Sequence, residues 1–284
     1  MYVVEDLKNE ILLKCNARGK FKEQGIVPTV GDYVDFSVVD EDKSEGVIDG
    51  ILDRKTYIKR PRMSNLTQII LVVSMKLPKP DLLMLDKQLA FSEFNGIKPI
   101  ICFNKKDLVD DNAVNEIAKT YTNIGYEVIV TDCQNNIGID KVINKIKGNI
   151  TAFSGNSGVG KSTLINRIFS GTITPEGDIS CKNKRGKNTT TSTYLYKYDE
   201  KSYIADTPGF STFDISEIPS NELYKYFIEF EEHSKYCEFI GCTHIKEENC
   251  GIKQAVDNGK VSQERYNRFV KIYSELKEKE EHKW

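Results

Sequence analysis

The sequence predicts a multidomain chain with a small β-barrel domain, an α/β domain built on a parallel sheet, and a C-terminal α-helical domain around a cysteine–histidine cluster. Three observations predict this fold class. Short β-type runs separated by turns occupy residues 1–66, apolar strands alternate with helical patterns in residues 67–219, and the cluster and an amphipathic helix follow in residues 220–284. The 284 residues, of which 39% are hydrophobic, are enough to bury two to three modest cores.

The N-terminal domain is predicted from three β-type runs, at residues 32–39, 45–52 and 56–59. Turn-forming residues such as Gly31 and Asp49 separate these runs. Short strands at this spacing are typical of a small closed sheet of the Greek-key or OB-fold type. A short antiparallel sheet without a ligand is the alternative that the spacing also allows.

The central domain is predicted from an alternation of strands and helices that begins at Thr67. The expected strands span residues 68–73, 99–103, 127–131, 151–154 and 202–205, and the expected helices span residues 82–91, 112–122, 139–147 and 162–168. Continuous apolar strands that alternate with helices are typical of a parallel sheet covered on both faces. Such sheets bind their ligands at the carboxyl ends of the strands.

The C-terminal domain ends in a predicted amphipathic helix. Ser262 is the expected N-cap, and Val261 and Tyr266 have the spacing of a hydrophobic staple. The apolar stripe of this helix comprises Tyr266, Phe269, Val270, Tyr273 and Leu276. We interpret the stripe as core packing.

The bulk composition excludes several classes of protein. A formal net charge of −2 with 29% charged residues is unlike a disordered chain or a uniformly basic nucleic-acid binder. The first ten residues carry Glu5, Asp6 and Glu10, which does not fit a signal peptide. The longest apolar runs, at residues 69–73 and 99–103, are too short to span a bilayer. We therefore expect a cytoplasmic protein that does not bind a membrane.

The cysteines indicate a metal site rather than a disulfide framework, because their number, seven, is odd and three of them lie near one histidine. These three form the pattern Cys237-x4-Cys242-x-His244-x5-Cys250. Three thiolates and one imidazole suit a tetrahedral, structural Zn²⁺ with no open position. Three buried cysteines beside a surface histidine are the alternative. The other four cysteines are scattered: Cys15, Cys102, Cys133 and Cys181.

A phosphate loop lies between the strand at residues 151–154 and the helix at residues 162–168. It matches the Walker A pattern in full, as Gly155, Asn156, Ser157, Gly158, Val159, Gly160, Lys161, Ser162 and Thr163. Its glycines let backbone N–H groups surround phosphate oxygens, and the helix N-terminus adds partial positive charge. We expect Lys161 to contact the β- and γ-phosphates and Ser162 to ligate Mg²⁺. A glycine-rich turn with an incidental lysine is the alternative.

The tetrapeptide Asn104-Lys105-Lys106-Asp107 follows the strand at residues 99–103 and predicts specificity for guanine. The Asp107 carboxylate accepts hydrogen bonds from the ring N–H and the exocyclic amine of guanine, and adenine offers no such pair of donors. We expect Asn104 to brace the loop and the stem of Lys105 to cover one face of the base. Charged tetrapeptides also end strands by chance, so this motif predicts a GTP site only together with the phosphate loop.

A third motif, Asp206-Thr207-Pro208-Gly209, follows the strand at residues 202–205. In a phosphate-loop GTPase the aspartate of this motif holds a Mg²⁺-bound water, and the glycine N–H meets the γ-phosphate. We therefore expect Asp206 and Gly209 to be catalytic, together with Lys161 and Ser162. One threonine of the run Thr189-Thr190-Thr191, with Thr190 at its centre, completes the predicted catalytic set.

The order of the motifs differs from that of a Ras-like GTPase. There the phosphate loop comes first, then the switch threonine, then Asp-x-x-Gly, and Asn-Lys-x-Asp last. Here residues 104–107 precede the phosphate loop, and residues 189–191 and 206–209 follow it. The same site forms if the chain is cut between the third and fourth motifs and the former termini are joined. The sequence therefore predicts a circularly permuted P-loop GTPase domain.

Together the motifs resemble the ribosome small-subunit-dependent GTPase A family, a set of circularly permuted bacterial GTPases. The resemblance covers essentially the whole chain. It implies an RNA-binding OB-fold barrel at residues 1–66, a permuted GTPase domain at residues 67–219 and a zinc-binding domain at residues 220–284. It further implies that the small ribosomal subunit and its rRNA stimulate hydrolysis of GTP to GDP with Mg²⁺, and that the protein assists late maturation of that subunit. We expect a monomer.

The sequence departs from the family pattern at two places. The family usually has histidine after the Gly-Lys pair that precedes the switch threonines, and this chain has Asn188. Asparagine forms hydrogen bonds but cannot serve as a titrating base. The usual base-contacting serine pair is replaced by Asp132-Cys133, so we expect backbone N–H groups near Cys133 to contact the guanine O6.

The partner and the rate are predicted from three further features. Phe210 occupies the position of the catalytic glutamine of Ras-like enzymes and cannot orient water, so we expect slow intrinsic turnover that a partner accelerates. Two basic clusters, at residues 59–62 and 182–187, are candidate RNA contacts, and solvated charged loops are their alternative.

Two other functions stay open: a GTPase that assembles another RNA particle, and a nucleotide-dependent RNA-binding module without turnover.

Overall fold

The computed structural model describes residues 1–23, 25–170, 193–206 and 214–282. In these residues the strands form a four-stranded sheet, a two-stranded hairpin and a six-stranded sheet. None of the described helices combines the length and the apolar character that crossing a membrane requires.

The N-terminal domain contains a four-stranded sheet and one short helix. Its elements are β1 (Tyr2–Asp6), β2 (Ile11–Ala17), α1 (Gly19–Glu23), β3 (Val34–Asp40) and β4 (Glu45–Ile51). The strand order is β1-β2-β4-β3, with antiparallel outer pairs and a parallel central pair, β2 with β4. The parallel pair shows that the alternative of a purely antiparallel sheet is wrong. The core of the domain consists of Val4, Leu13, Cys15, Phe21 and Ile48.

The β-type runs of the sequence include β3 and β4 but neither β1 nor β2. In β1 only Val4 is buried, and in β2 only Leu13 and Cys15 are buried. The apolar residues Val3 and Leu12 of the same two strands face solvent. The period-2 alternation that indicates a half-buried strand is therefore obscured in both.

The central domain is built on a six-stranded sheet of order β11-β12-β10-β7-β8-β9. The strands are β7 (Gln68–Ser74), β8 (Lys98–Asn104), β9 (Glu127–Val130), β10 (Ile150–Ser154), β11 (Tyr194–Asp199) and β12 (Ser202–Asp206). Every neighbouring pair is parallel except β11 with β12, which is antiparallel. All seven residues of β7 are buried, as expected for a central strand covered on both faces.

Helices cover both faces of this sheet: α2 (Leu82–Phe94), α3 (Asp111–Ile124), α4 (Ile139–Ile146) and α5 (Lys161–Ser170). One hydrophobic cluster contains buried residues of α2 and α3, and a second contains buried residues of α4 and α5. Asp81 caps α2 by accepting a 2.9 Å hydrogen bond from the Met84 N–H, and Asp110 caps α3 through the Ala113 N–H at 2.9 Å. All four predicted helices are thus present.

The C-terminal region contains a 3-10 helix (Ser220–Tyr226), α6 (Phe230–Ser234), α7 (Gly251–Asp257) and α8 (Gln263–Glu281). Ser262 is the N-cap of α8, as predicted, and its side chain accepts a 3.4 Å hydrogen bond from the Arg265 N–H. Phe227, Phe230 and Phe269 are buried in the same cluster as α2 and α3. The last helix is therefore packed on the core of the central domain.

A buried ionic network fastens α8 to α2. The guanidinium of Arg265 is 1% exposed and lies 2.5 Å from the Asp86 carboxylate, which is wholly buried. Asp86 also accepts hydrogen bonds from Arg268 at 2.5 Å and from the Tyr121 hydroxyl at 2.9 Å, and Arg265 pairs in addition with Glu229. The Asp86 and Glu229 carboxylates raise the pKa of Arg265 against the opposing effect of burial, so this guanidinium stays charged inside the protein.

The N-terminal domain contacts the central sheet at its β11–β12 edge. The Glu5 carboxylate lies 2.8 Å from the Lys197 ammonium and accepts a 2.8 Å hydrogen bond from the Tyr203 hydroxyl. A separate hairpin of β5 (Tyr57–Lys59) and β6 (Arg62–Ser64) places Ile58 and Met63 in the cluster shared by α2 and α8. The basic residues 59–62 thus form the turn of a hairpin that is anchored by its buried side chains.

Candidate nucleotide-binding and metal sites

The phosphate loop links β10 to α5 at the carboxyl edge of the central sheet. Gly160 has φ +93, and a Cβ there would collide with the Asn104 amide, so only glycine fits this position. Within the part of the chain that the structure describes, the N–H groups of Ser157, Gly158 and Gly160 donate to no protein acceptor. Unpaired N–H groups beside the N-terminus of α5 form an anion-binding concavity.

Lys161 and Asp206 meet at this edge, because β10 and β12 are parallel neighbours. Burial lowers the pKa of the Lys161 ammonium, and the negative charge of the nearby Asp206 opposes this effect. Ser162 and Thr163, on the first turn of α5, are exposed, as is Asp206. The structure therefore assembles a cation, a hydroxyl and a carboxylate around the phosphate loop.

Asn104 connects the predicted guanine loop to the phosphate loop. This buried side chain ends β8 and donates a 2.9 Å hydrogen bond to the Val159 carbonyl. Its amide oxygen accepts a 3.0 Å hydrogen bond from the Thr131 hydroxyl and a longer contact, 3.6 Å, from the Cys133 thiol. The bracing expected of Asn104 is thus present in the structure.

Lys105 makes a second connection between the two loops. Its ammonium donates to the Gly158 carbonyl at 2.5 Å and to the Leu77 carbonyl. The residue has φ +63, which directs the chain into the 3-10 turn Lys106–Leu108. Its stem consequently extends across the space between the two loops. That the stem covers one face of a base stays a prediction.

Asp107 and Cys133 lie on facing loops. The Asp107 side chain is exposed, whereas Cys133 is buried. Burial raises the pKa of the Cys133 thiol, and the negative charges of Asp132 and Asp107 add to this effect. Within the described residues, the Cys133 N–H donates to no protein acceptor. Lys106 is turned away from this space, since its ammonium pairs with Asp111 at 2.6 Å.

The loop that holds Cys133 is shaped by Asp132. The buried Asp132 carboxylate accepts hydrogen bonds from the N–H groups of Gln134 at 2.8 Å and Asn135 at 3.1 Å. Hydrogen bonds from these groups lower the pKa of Asp132 although burial acts in the opposite direction. The carboxylate is consequently engaged within its own loop.

Residues that the sequence analysis did not single out support the same site. Asp81 accepts a 3.2 Å hydrogen bond from Asn156 of the phosphate loop, and Gln88 donates to Ser154 at 3.1 Å. Thr131 orients the Asn104 amide. A carboxylate directly before an apolar helical pattern was the available signal for Asp81, but it indicated only a helix cap.

Some predicted site residues lie outside the described residues. These are Thr189, Thr190, Thr191 and Gly209, together with Asn188, Phe210 and the basic cluster at residues 182–187. The remaining predicted nucleotide-site residues lie on or shortly after four parallel strands, β12, β10, β8 and β9, whose carboxyl ends share one edge of the sheet.

The Cys3His cluster is assembled in the C-terminal region. The ligand atoms of Cys237, Cys242, His244 and Cys250 all lie within 4.8 Å of one another, and a metal ion could be held among them. His244 is 2% exposed and has φ +66, and its backbone carbonyl accepts a 2.7 Å hydrogen bond from the Tyr266 hydroxyl. The cluster is thereby attached to α8.

Comparisons with known proteins match both the N-terminal and the central regions of the chain. The family described as the RsgA GTPase matches residues 51–216, and the family described as the RsgA N-terminal domain matches residues 1–48. A small ribosomal subunit biogenesis GTPase RsgA from Ruminiclostridium cellulolyticum is 40% identical over 98% of this chain and 90% of its own length. A protein of the same name from Clostridium botulinum is 41% identical over 97% of this chain and 94% of its own length.

Two solved structures share the fold. The crystal structure of YjeQ from Thermotoga maritima is similar with a TM-score of 0.85 and 36% identity, over 96% of this chain and 93% of that one. The structure of YloQ, described as a circularly permuted GTPase, is similar with a TM-score of 0.82 and 32% identity, over 98% of this chain and 91% of that one. These likenesses confirm the predicted fold class and the permutation. The chain belongs to the RsgA GTPase family and is a circularly permuted GTP hydrolase.

Proposed function

We propose that this GTPase acts on the small ribosomal subunit, which stimulates its hydrolysis of GTP, and that it assists late maturation of that subunit. Relatives about as long as this chain carry the name small ribosomal subunit biogenesis GTPase. The observation that carries the proposal is the contact between the guanine loop, residues 104–107, and the phosphate loop, to which Asn104 and Lys105 both bond. This contact joins base recognition and phosphate binding in one site.

The phosphate-binding roles follow from the groups at the sheet edge. The N–H groups from Gly155 to Thr163 bind phosphate oxygens, and Lys161 neutralises the β- and γ-phosphates. Ser162 and Asp206 would hold the Mg²⁺ that accompanies GTP, Ser162 directly and Asp206 through a water. Thr190 and the Gly209 N–H complete the catalytic set. The metal supplies additional neutralisation of charge on the phosphates when it is bound.

The guanine-binding roles follow from the facing loops. The exposed Asp107 carboxylate accepts the two hydrogen bonds that distinguish guanine from adenine. The unpaired Cys133 N–H donates to the guanine O6, and Asn104 and Lys105 hold the pocket. Lys106 belongs to the guanine loop, but its side chain does not contact the base, because its ammonium is paired with Asp111.

The Cys3His cluster fits Zn²⁺. Zinc bonds of about 2.3 Å to sulfur and about 2.1 Å to nitrogen, in a tetrahedron, put sulfur and nitrogen about 3.6 Å apart and two sulfurs about 3.8 Å apart. The His244 Nδ1 lies 3.4 Å from the Cys250 sulfur and 3.5 Å from the Cys237 sulfur, and these two sulfurs are 3.9 Å apart. Burial lowers the pKa of His244 to about 4, which keeps the imidazole neutral as a ligand must be.

The division of the chain belongs to the same proposal. Residues 1–66 form the RNA-binding barrel, residues 67–219 the GTPase domain and residues 220–284 the zinc-binding domain. The exposed Arg60 and Arg62 at the β5–β6 turn are suited to contact rRNA phosphates. Phe210 replaces a water-orienting glutamine, so turnover is slow until the ribosomal partner completes the site.

Phosphate release from GTP tests the proposal, with purified small subunits, with large subunits and with neither. We expect slow release by the protein alone, strong acceleration by the small subunit only, and no release from ATP. Lys161→Ala abolishes both rates, whereas Lys141→Ala, at an exposed position of α4, behaves as the wild type. If subunits left the rate unchanged, the GTPase activity would stand and the ribosomal role would be wrong.

A further inference from the structure

The segment of residues 236–240, which includes the first ligand of the Cys3His cluster, presents large apolar side chains to solvent. Ile240 is fully exposed, at 108%, and Tyr236 and Phe239 are 71% and 55% exposed. Single exposed apolar residues are common on protein surfaces, but three within five residues of one loop are typical of an interaction site. We call Tyr236, Phe239 and Ile240 the apolar tip.

The apolar tip is held in place by its surroundings. Phe239 and Ile240 lie between Cys237 and Cys242 of the cluster, and the Cys242 N–H donates a 3.3 Å hydrogen bond to the Phe239 carbonyl. The Glu238 N–H donates to the Asn249 carbonyl at 3.2 Å. The backbone at Gly251 lies so close to Tyr236 that a Cβ at Gly251 would stand 2.8 Å from the Tyr236 Cβ. A surface fixed in this way loses little conformational entropy when a partner binds.

The charge around the apolar tip is predominantly negative. Exposed carboxylates on neighbouring segments are Glu231, Glu232, Glu238 and Glu248, and the exposed cations are Lys235 and Lys246. RNA-binding surfaces have the opposite character, since they need lysine and arginine to neutralise phosphates. An acidic rim around apolar anchors complements a basic protein surface. The basic turn at residues 59–62 has the character that a phosphate contact requires, and the apolar tip does not.

We propose that the apolar tip is a docking site for a basic protein, and that it inserts into an apolar groove rimmed by lysine or arginine on that partner. The inference rests on the proposed function and deepens it. Within the ribosomal particle, the C-terminal region contacts a protein component rather than rRNA.

Two variants at one position test the contact. Ile240→Asp places a charge in the apolar groove and weakens binding to purified small subunits by at least about tenfold, as expected for a central interface residue. Ile240→Leu keeps the apolar contact and binds within about twofold of the wild type. Because Ile240 makes no buried contact, both variants retain their bound zinc and their GTPase activity without subunits.

Charge reversal distinguishes the two classes of partner. The double change Glu231→Lys and Glu232→Lys weakens binding if the partner surface is basic and strengthens it if the partner is RNA. A benzophenone amino acid in place of Phe239 is expected to give a photo-adduct with a ribosomal protein that survives ribonuclease. An adduct that ribonuclease removes, tighter binding after charge reversal, or unchanged binding of Ile240→Asp would each overturn the inference. Wild-type protein that failed to bind small subunits would remove the proposed function as well.

Discussion

The nucleotide site and the Cys3His cluster are held together by different means. The nucleotide site rests on the ends of four parallel strands, and its loops are connected by hydrogen bonds such as Asn104 to Val159 and Lys105 to Gly158. The cluster lies on short segments, and the buried Nε2 of His244 has no hydrogen-bond partner within the described residues. Its four ligand atoms converge around a point that a metal ion would occupy.

This difference distinguishes the parts of the molecule that contacts within the protein hold in place from the part that a bound ion would stabilise. Strands that are buried on both faces hold the loops of the nucleotide site in position without a bound ligand. The free energy that stabilises this arrangement therefore comes from the packing of the sheet. The proposed ion would supply this energy for the cluster, because metal binding is folding energy where a small region has few other contacts. Helix α8, like the nucleotide site, is held by contacts within the protein, since it is packed on the central core and bound by Arg265 to Asp86.

The largest expected effect is the loss of a metal ligand. Cys250→Ala should abolish zinc binding and remove hydrogen-exchange protection from residues 235–250, because on the order of 10 kcal/mol of metal-binding free energy stabilises such sites. Helix α8 should stay protected. Zinc content and hydrogen exchange are the measurements, and Cys15→Ala, which changes a buried cysteine far from the cluster in sequence, is the control that keeps the zinc. Lost protection of α8 would show that it too depends on the metal.

The second effect concerns the buried ionic network. Asp86→Ala leaves Arg265 without its partner in the interior and should lower the free energy of unfolding by about 3–5 kcal/mol. Glu275→Ala is the control, because it removes a more exposed pair with Lys87 and should cost at most about 1 kcal/mol. Urea denaturation measures both. Similar losses of unfolding free energy in the two variants would contradict the stabilising role assigned to Asp86.

The third effect separates backbone strain from the geometry of the nucleotide site. Gly160 and Gly96 both have positive φ, at +93 and +65, but only a Cβ at Gly160 meets another group, the Asn104 amide. Gly96→Ala should lower stability by about 1 kcal/mol through backbone strain alone, and Gly160→Ala should lower it further because its Cβ collides with the Asn104 amide. Only Gly160→Ala should also weaken GTP binding, by at least about tenfold, because it displaces the brace between the two loops. Equal GTP affinity in both variants, measured by calorimetry, would rule out this role for Asn104.

The smallest effect is the loss of the N-cap of α8. Ser262→Ala should lower the free energy of unfolding by about 1 kcal/mol, since the Arg265 N–H loses its acceptor. Ser274→Ala, at an exposed position inside the same helix, should change stability by less than about 0.5 kcal/mol. Thermal unfolding compares the two variants, and a larger loss at Ser274 would argue against capping.

The sequence predicts those parts of the fold and the site whose residues form contiguous motifs. Residues 104–107 and 155–163 each lie at the end of a buried strand, and parallel sheets bind ligands at the carboxyl ends of their strands, so the sequence predicts that the two motifs lie together. The Cys3His pattern was predictable for a similar reason, because its ligands fall within fourteen residues, from 237 to 250.

The unpredicted part depends on contacts between distant residues. Asp86 in α2 looks like a polar interruption of an apolar pattern, and its partner Arg265 is 179 positions away. Strands β1 and β11 bury too few residues for alternation to reveal them, and β1 instead joins the central sheet through Glu5 and Lys197. No local pattern carries information on such pairs, since only the tertiary fold brings them together.

The most direct test of the account exchanges the base that the permuted site recognises. Asp107→Asn removes the acceptor for the two guanine donors and offers an amide that can donate to the carbonyl that xanthine carries in place of the guanine amine. Phosphate release from XTP and GTP is measured with and without small ribosomal subunits, with Asp111→Asn as the control. We expect the Asp107→Asn protein to hydrolyse XTP, but not GTP, in a small-subunit-stimulated manner, while the control keeps its preference for GTP. Unchanged GTP hydrolysis by Asp107→Asn would contradict the assignment of residues 104–107 to the guanine site.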